Sequence, residues 1–281
     1  MLSTTARLLL LGAAPLAASA VVLAIAPVGR AVWLQQTGAV MLALAIAGGG
    51  RALRGRVHVP VVVVMAVALA GLAAPLLLDE RPPRRWLAVG AVRLYMAPLL
   101  LPVFLHAQHV LARSGVHRSR LAGAATCLAG FALVLHPDAS QLLAVLAALV
   151  ATYWLVDRRQ GGARLAWPKL VLAPACAWAF WRPDPLQPVP HVEGVVALAF
   201  AHSTATGALV LAAQLSFLLG LWRLGALTHG ALTGIAAYYA VLFLCAHAGL
   251  TPAPLIGYGA APWLGYGLLA AMTPDHRPSP A

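Results

Sequence analysis

The chain of 281 residues is 62% hydrophobic and 9% charged, with a formal net charge of +12 and a mean hydropathy of +0.85. A water-soluble globule carries roughly 25% charged residues, so an ordinary soluble domain is excluded. The arginines stand singly or in short clusters between apolar runs, with no basic stripe interleaved with aromatics. They read as topology signals, and nucleic acid is excluded as a partner.

Arg7 and the apolar run from Leu8 are followed by Ala17-Ala18-Ser19-Ala20, which imitates a secretory cleavage site. The run continues through Val21, Val22, Leu23 and Ile25, so the segment is read as a retained first helix over 8–27. Later runs predict helices over 31–49, 57–78, 87–112, 120–136, 140–156, 166–181, 204–222, 231–249 and 257–272. Val61 to Val64 would suit a strand, but the surrounding run is too long for one. Because a membrane span takes roughly 20 mostly apolar residues, the pattern predicts an all-α integral membrane protein of about ten transmembrane helices. Residues 1–272 are expected to form a single polytopic domain, with 273–281 a short disordered cytoplasmic tail.

With the N-terminus inside, thirteen basic residues fall on the cytoplasmic side and five, Arg30, Arg81, Arg84, Arg85 and Arg182, on the other. Arg93 lies within the predicted fourth span, where a lone charge is costly and suggests contact with lipid phosphate, with snorkelling or pairing with an outer-loop acid as the alternatives. The bias orients the chain with both ends inside. Five of the seven acidic residues, Asp79, Glu80, Asp138, Asp184 and Glu193, then face outward. Cys127, Cys176 and Cys245 lie in apolar runs without metal or disulfide spacing, and read as small buried side chains. His106 and His109 share a helix face but have no acidic ligand near in sequence, so neither a metal nor a cofactor is expected.

Four segments, taken in order, resemble the SEDS family of peptidoglycan glycosyltransferases, the FtsW, RodA and SpoVE proteins. Arg84-Arg85-Trp86-Leu87-Ala88-Val89-Gly90 is similar to the family's RW-x-x-x-G start of the fourth helix. Leu133-Val134-Leu135-His136-Pro137-Asp138-Ala139-Ser140 is similar to its L-x-x-Q-P-D-x-G-T turn, where Asp138 is placed to cap the next helix. Trp181-Arg182-Pro183-Asp184-Pro185-Leu186, followed by His191 and Glu193, resembles the opening of its large outer loop. Gly249-Leu250-Thr251-Pro252 and Pro254-Leu255-Ile256-Gly257-Tyr258-Gly259 resemble its G-L-x-P and S-Y-G-G stretches.

The departures fall where the family keeps its polar chemistry. Its Q-P-S-E motif and following lysine become Tyr95-Met96-Ala97-Pro98 and Leu101. The H-T-D motif, whose aspartate is the family's catalytic base, is either His202-Ser203-Thr204 or deleted, and neither alignment keeps a carboxylate. The chain therefore reads as a shortened, divergent relative, with a non-catalytic role in peptidoglycan synthesis, cell shape or division as the leading reading. The resemblance implies a lipid-facing site at Arg85, Trp86, Arg93, Arg182, Tyr258 and Gly259, with undecaprenyl-linked lipid II as ligand and a single-pass penicillin-binding protein as partner. Two alternatives stand beside it. One is an active lipid II polymerase using Asp184, Glu193 or Asp138 as substitute base. The other is a lipid or solute transporter, suggested by Arg93, Pro98 and Pro102.

Overall fold

The structure is a computed structural model that describes residues 2–54, 56–57, 59–79, 83–90, 92–157, 166–182, 186–228 and 230–275. Helix α1 (Thr4–Leu11) and α2 (Ala13–Ile25) form one span broken at Gly12. Pro15 explains the break, because its ring collides with the carbonyl four residues back and donates nothing to it. Helices α3 (Arg30–Leu53) and α4 (Val61–Leu78) follow. The chain then forms a hairpin of β1 (Trp86–Val89) and β2 (Val92–Tyr95) before α5 (Met96–Arg113). Next come α6 (Val116–Leu135), α7 (Ala139–Thr152) with a π-turn over Tyr153–Asp157, α8 (Ala166–Trp181) and the short α9 (Val195–His202). Helices α10 (Thr204–Leu227), α11 (Ala231–His247) and α12 (Ala260–Met272) complete the described bundle.

With α1 and α2 taken as one crossing and α9 as an outer helix, the described residues make ten crossings, the number expected from sequence. Five of them are long and apolar enough, by length and composition, to cross a membrane. Helix α5 is more polar, carrying His106, Gln108 and His109, yet it can cross because α4, α6, α11 and α12 enclose it. Ala97, Leu101 and Phe104 on its outer half are fully buried.

Two sequence expectations need correction. The predicted helix over 87–112 begins at Met96, since residues 86–95 pair as a hairpin with Trp86 opposite Tyr95 and Ala88 opposite Arg93. β-branched and aromatic residues on both sides of Gly90, which adopts a left-handed φ of 61°, favour that turn over a continuous helix. Arg93 is consequently exposed on the hairpin rather than buried in a span, and it raises the outer count of basic residues from five to six. Helix α9 was not anticipated.

The last pair of helices explains how the outer face is built. Helix α12 has 13 residues and rises only about 20 Å, well short of a bilayer core of about 30 Å. The remaining thickness is occupied by the non-helical stretch 248–259, in which Thr251, Ala253, Leu255 and Ile256 are buried. Irregular backbone is tolerated at membrane depth only when protein surrounds it. Here the loop before α9 bonds to it: the Ala253 amide donates to Val192 O (2.9 Å) and the Tyr258 amide to His191 O (2.9 Å).

Helix α12 packs on α3 through small residues. A Cβ at Gly267 would stand 2.6 Å from Ala43 O, and Gly50 leaves no room for one beside Ala271. Such close backbone approach is a main source of helix association in lipid, where the hydrophobic effect offers none. The inner ends are tied by polar contacts. Asp275 accepts from the Thr4 amide at 2.8 Å and pairs with Arg54 at 3.4 Å, while Arg54 also donates to Ala271 O at 2.9 Å. Thr273 to Asp275, at the start of the expected disordered tail, therefore take part in the bundle; residues 276–281 lie outside the described residues.

Candidate functional site

The outer end of the bundle gathers a buried polar cluster from three separate segments of chain. Arg85 and Tyr95 come from the hairpin, His136 and Asp138 from the turn between α6 and α7, and Thr251 from the non-helical stretch. All five are less than a tenth exposed. Trp86 and Tyr95 lie ring to ring at 5.5 Å, and the Arg85 guanidinium sits 4.6 Å above the Trp86 ring and 5.6 Å from that of Tyr95. A planar guanidinium stacks on aromatic faces at little further cost in desolvation, which suits arginine to this place.

Asp138 has two duties. One oxygen accepts from the Gln141 amide (3.3 Å) at the start of α7, the capping role expected from its position after Pro137. The other accepts the Tyr95 hydroxyl in a short hydrogen bond. Gln141 in turn receives the hydroxyl of Tyr238 on α11 at 2.6 Å. Ser140 donates to Leu250 O at 3.4 Å, which ties α7 to the non-helical stretch. Burial, reinforced by the Asp138 carboxylate, pushes the Tyr95 phenol well above its usual range, so it stays protonated and remains a donor. Burial, with the Arg85 charge second, pulls His136 down to about 4 and keeps its ring neutral at pH 7.

A second polar group lies on the side of α3. Tyr258 donates to Gln35 in a short hydrogen bond and packs against His191 with ring centroids 6.2 Å apart. Gln36 accepts from the Gly259 amide (3.2 Å) and donates to Ser19 (3.1 Å), joining α2, α3 and the start of α12. Gly257 lies so close to Val192 O that no side chain fits.

The other residues singled out from sequence are spread more widely. Arg182 is exposed and donates to Val134 O at 3.1 Å, bracing α8 against the end of α6. Glu193 accepts from the Val189 amide at 2.8 Å and so closes its own loop. Asp184 lies outside the described residues. His202-Ser203-Thr204 forms the turn between α9 and α10, where the Ser203 hydroxyl caps α10 by accepting from the Thr206 amide (3.1 Å). Tyr95, Gln141, Tyr238, Thr251, Gln35 and Gln36 were missed. Their signal was present as single or adjacent polar side chains within or beside apolar runs, which lipid would penalise unless they were paired.

Among solved structures, Thermus thermophilus RodA, a rod-shape-determining protein, superposes with a TM-score of 0.73 over 94% of this chain and 94% of that one, at 22% identity. This chain has the RodA fold. An aspartate-to-alanine mutant of that RodA matches equally, with a TM-score of 0.73, 21% identity, and 94% and 95% of the two chains covered. A chain of a peptidoglycan synthase complex described as coordinating polymerization and crosslinking gives 0.68 at 20% identity, with 94% and 96% covered. No protein-family profile matches the sequence. No curated protein matches it either. The RodA-like fold accounts for the multi-pass helical architecture, and the chemistry at its outer face rests on the residues described above.

Proposed function

We propose that this RodA-like protein serves peptidoglycan synthesis at the bacterial inner membrane as a non-catalytic SEDS relative, a scaffold that holds a single-pass partner. The observation that carries this reading is the fate of the outer polar groups. The carboxylate of Asp138 is engaged by Tyr95 and by the α7 amide, and Glu193 is engaged by its own loop. A general base must be able to reach the proton it removes, and a carboxylate that caps a helix beneath a tyrosine is held for structure. The fourth-helix positions at which the resemblance leads one to expect a carboxylate and a lysine carry apolar core instead, Pro98 being buried and Leu101 fully so. An ion pair removed as a unit leaves no orphaned charge, so the fold tolerates this loss.

A partner surface is available on α10 beside α11. Leu215, Leu219 and Trp222 on α10 are half-exposed along one face, beside an apolar groove of about 350 Å³ floored by Ala236 and Ala240 of α11. Small residues four apart let a second helix approach closely. This groove is the proposed seat of the partner's transmembrane helix.

The test has two arms. Purified protein given lipid II is expected to form no glycan polymer, and cysteine pairs between α10 and a co-purified single-pass penicillin-binding protein are expected to cross-link. Polymer that disappears in Asp184→Ala or Asp138→Ala would replace the proposal with the substitute-base polymerase. Recovery of no envelope-synthesis partner from native membranes would remove the scaffold role.

A further inference from the structure

The span broken at Gly12 borders a gap in the bundle. Helices α2, α3 and α12 are joined near the outer face by the Ser19, Gln36 and Gly259 contacts, and α1, α3 and α12 are joined at the inner end by Arg54 and Asp275. Between the two ties lies an apolar crevice of about 100 Å³, walled by Gly12, Leu16, Val40, Leu44, Trp263 and Gly267. Leu16 and Leu44 are partly exposed, so the crevice opens sideways toward the bilayer.

Protein interiors pack densely, and an unfilled apolar void forfeits dispersion contacts along its whole lining. At this depth water has no polar partners to bind, so hydrocarbon is the available filler. Charge indicates its source. Leu44, Gly48 and Arg51 recur at helical spacing on one exposed face of α3, and Arg51 stands about 10 Å below Leu44 on the cytoplasmic side. A phosphate at Arg51 would place mid-chain methylenes at the level of the crevice.

We infer that the crevice between α1–α2, α3 and α12 binds one acyl chain of an anionic phospholipid from the cytoplasmic leaflet, with Arg51 holding its phosphate. The site is independent of the outer polar cluster and of the proposed partner groove. The full-length protein is reconstituted in nanodiscs with phosphatidylglycerol carrying a mid-chain diazirine, irradiated and mapped by peptide mass spectrometry. Adducts are expected on peptides containing Leu16, Leu44 and Trp263. Ala13→Trp, which fills the crevice from its exposed rim, is expected to lose them. Leu16→Trp at the mouth serves as a second filling variant if the first fails to fold. Leu128→Trp on the exposed face of α6 is expected to leave them unchanged, and Arg51→Gln to reduce them for phosphatidylglycerol more than for phosphatidylcholine. Adducts spread evenly over every lipid-facing helix, or unchanged in both filling variants, would overturn the inference. Preferential labelling of the crevice by a photoactivatable polyprenyl phosphate would overturn it as well, by assigning the crevice to an isoprenoid.

Discussion

Tyr95→Phe and Asp138→Ala, made singly and together, separate the two duties of Asp138. Asp138→Ala removes the α7 cap, at a cost of about 1 kcal/mol, and leaves the buried Tyr95 hydroxyl without its acceptor, a further ~1–3 kcal/mol. Tyr95→Phe spares the cap but strips a donor from a buried carboxylate, for which about 2 kcal/mol is expected. In the double variant the hydrogen-bond loss is counted once, so the cycle should show a coupling of roughly 1.5–3 kcal/mol, the range for hydrogen bonds to charged groups. Equilibrium unfolding in mixed micelles, titrated with SDS and followed by the fluorescence of Trp86 and the other tryptophans, measures each corner. Additivity within about 0.5 kcal/mol would refute the reasoning, because residues with no shared partner add to that precision. It would also reopen Asp138 as a carboxylate available for chemistry.

His136 should make stability depend on acid. Its pKa is lowered from 6.5 to about 4, so the unfolded chain binds the extra proton first and stability is fully present above pH 6.5. Stability is then lost as pH falls through this window, by about 3 kcal/mol at most, and His136→Gln should flatten the same SDS titrations between pH 7 and 4. Arg85→Lys keeps the charge but loses the stacked plane over Trp86 and Tyr95; a loss of about 1–2 kcal/mol is expected, read with the shift in tryptophan emission. Gly257→Ala forces a methyl against Val192 O and should destabilise by about 1–3 kcal/mol, with faster proteolysis within 186–194 as the direct readout.

The crossings were legible because a span's requirement is local: each helix must satisfy its own backbone, whatever its neighbours do. Helix α8 was placed over 166–181 from sequence and found there, since charge clusters and prolines mark both its ends. The hairpin was not legible, because Trp86 to Tyr95 reads as part of an apolar run, and the weak local signal at Gly90 takes effect only with packing on α4, α5 and α12. In the candidate site, Asp138 was read correctly as a cap, since the signal lies within four residues. Its bond to Tyr95 joins positions 43 apart and Tyr238 meets Gln141 across 97, and no local pattern announces such pairs. Arg93 was misplaced for a related reason: its apolar neighbours suggested lipid, whereas the hairpin lifts it clear.

The ties between α3 and α12 also bear on biosynthesis. Gln36 meets the Gly259 amide and Arg54 meets Ala271 across 223 and 217 residues, so a ribosome releases α3 long before its partners exist. During that interval an amide and a guanidinium have no α12 to bond, and α3 shows the translocon a groove of small residues rather than a finished surface. An insertase or chaperone that shields such a helix would stay engaged with it until α12 emerges. The nascent chain would be released from it when the glycines of α12 arrive to close the bundle.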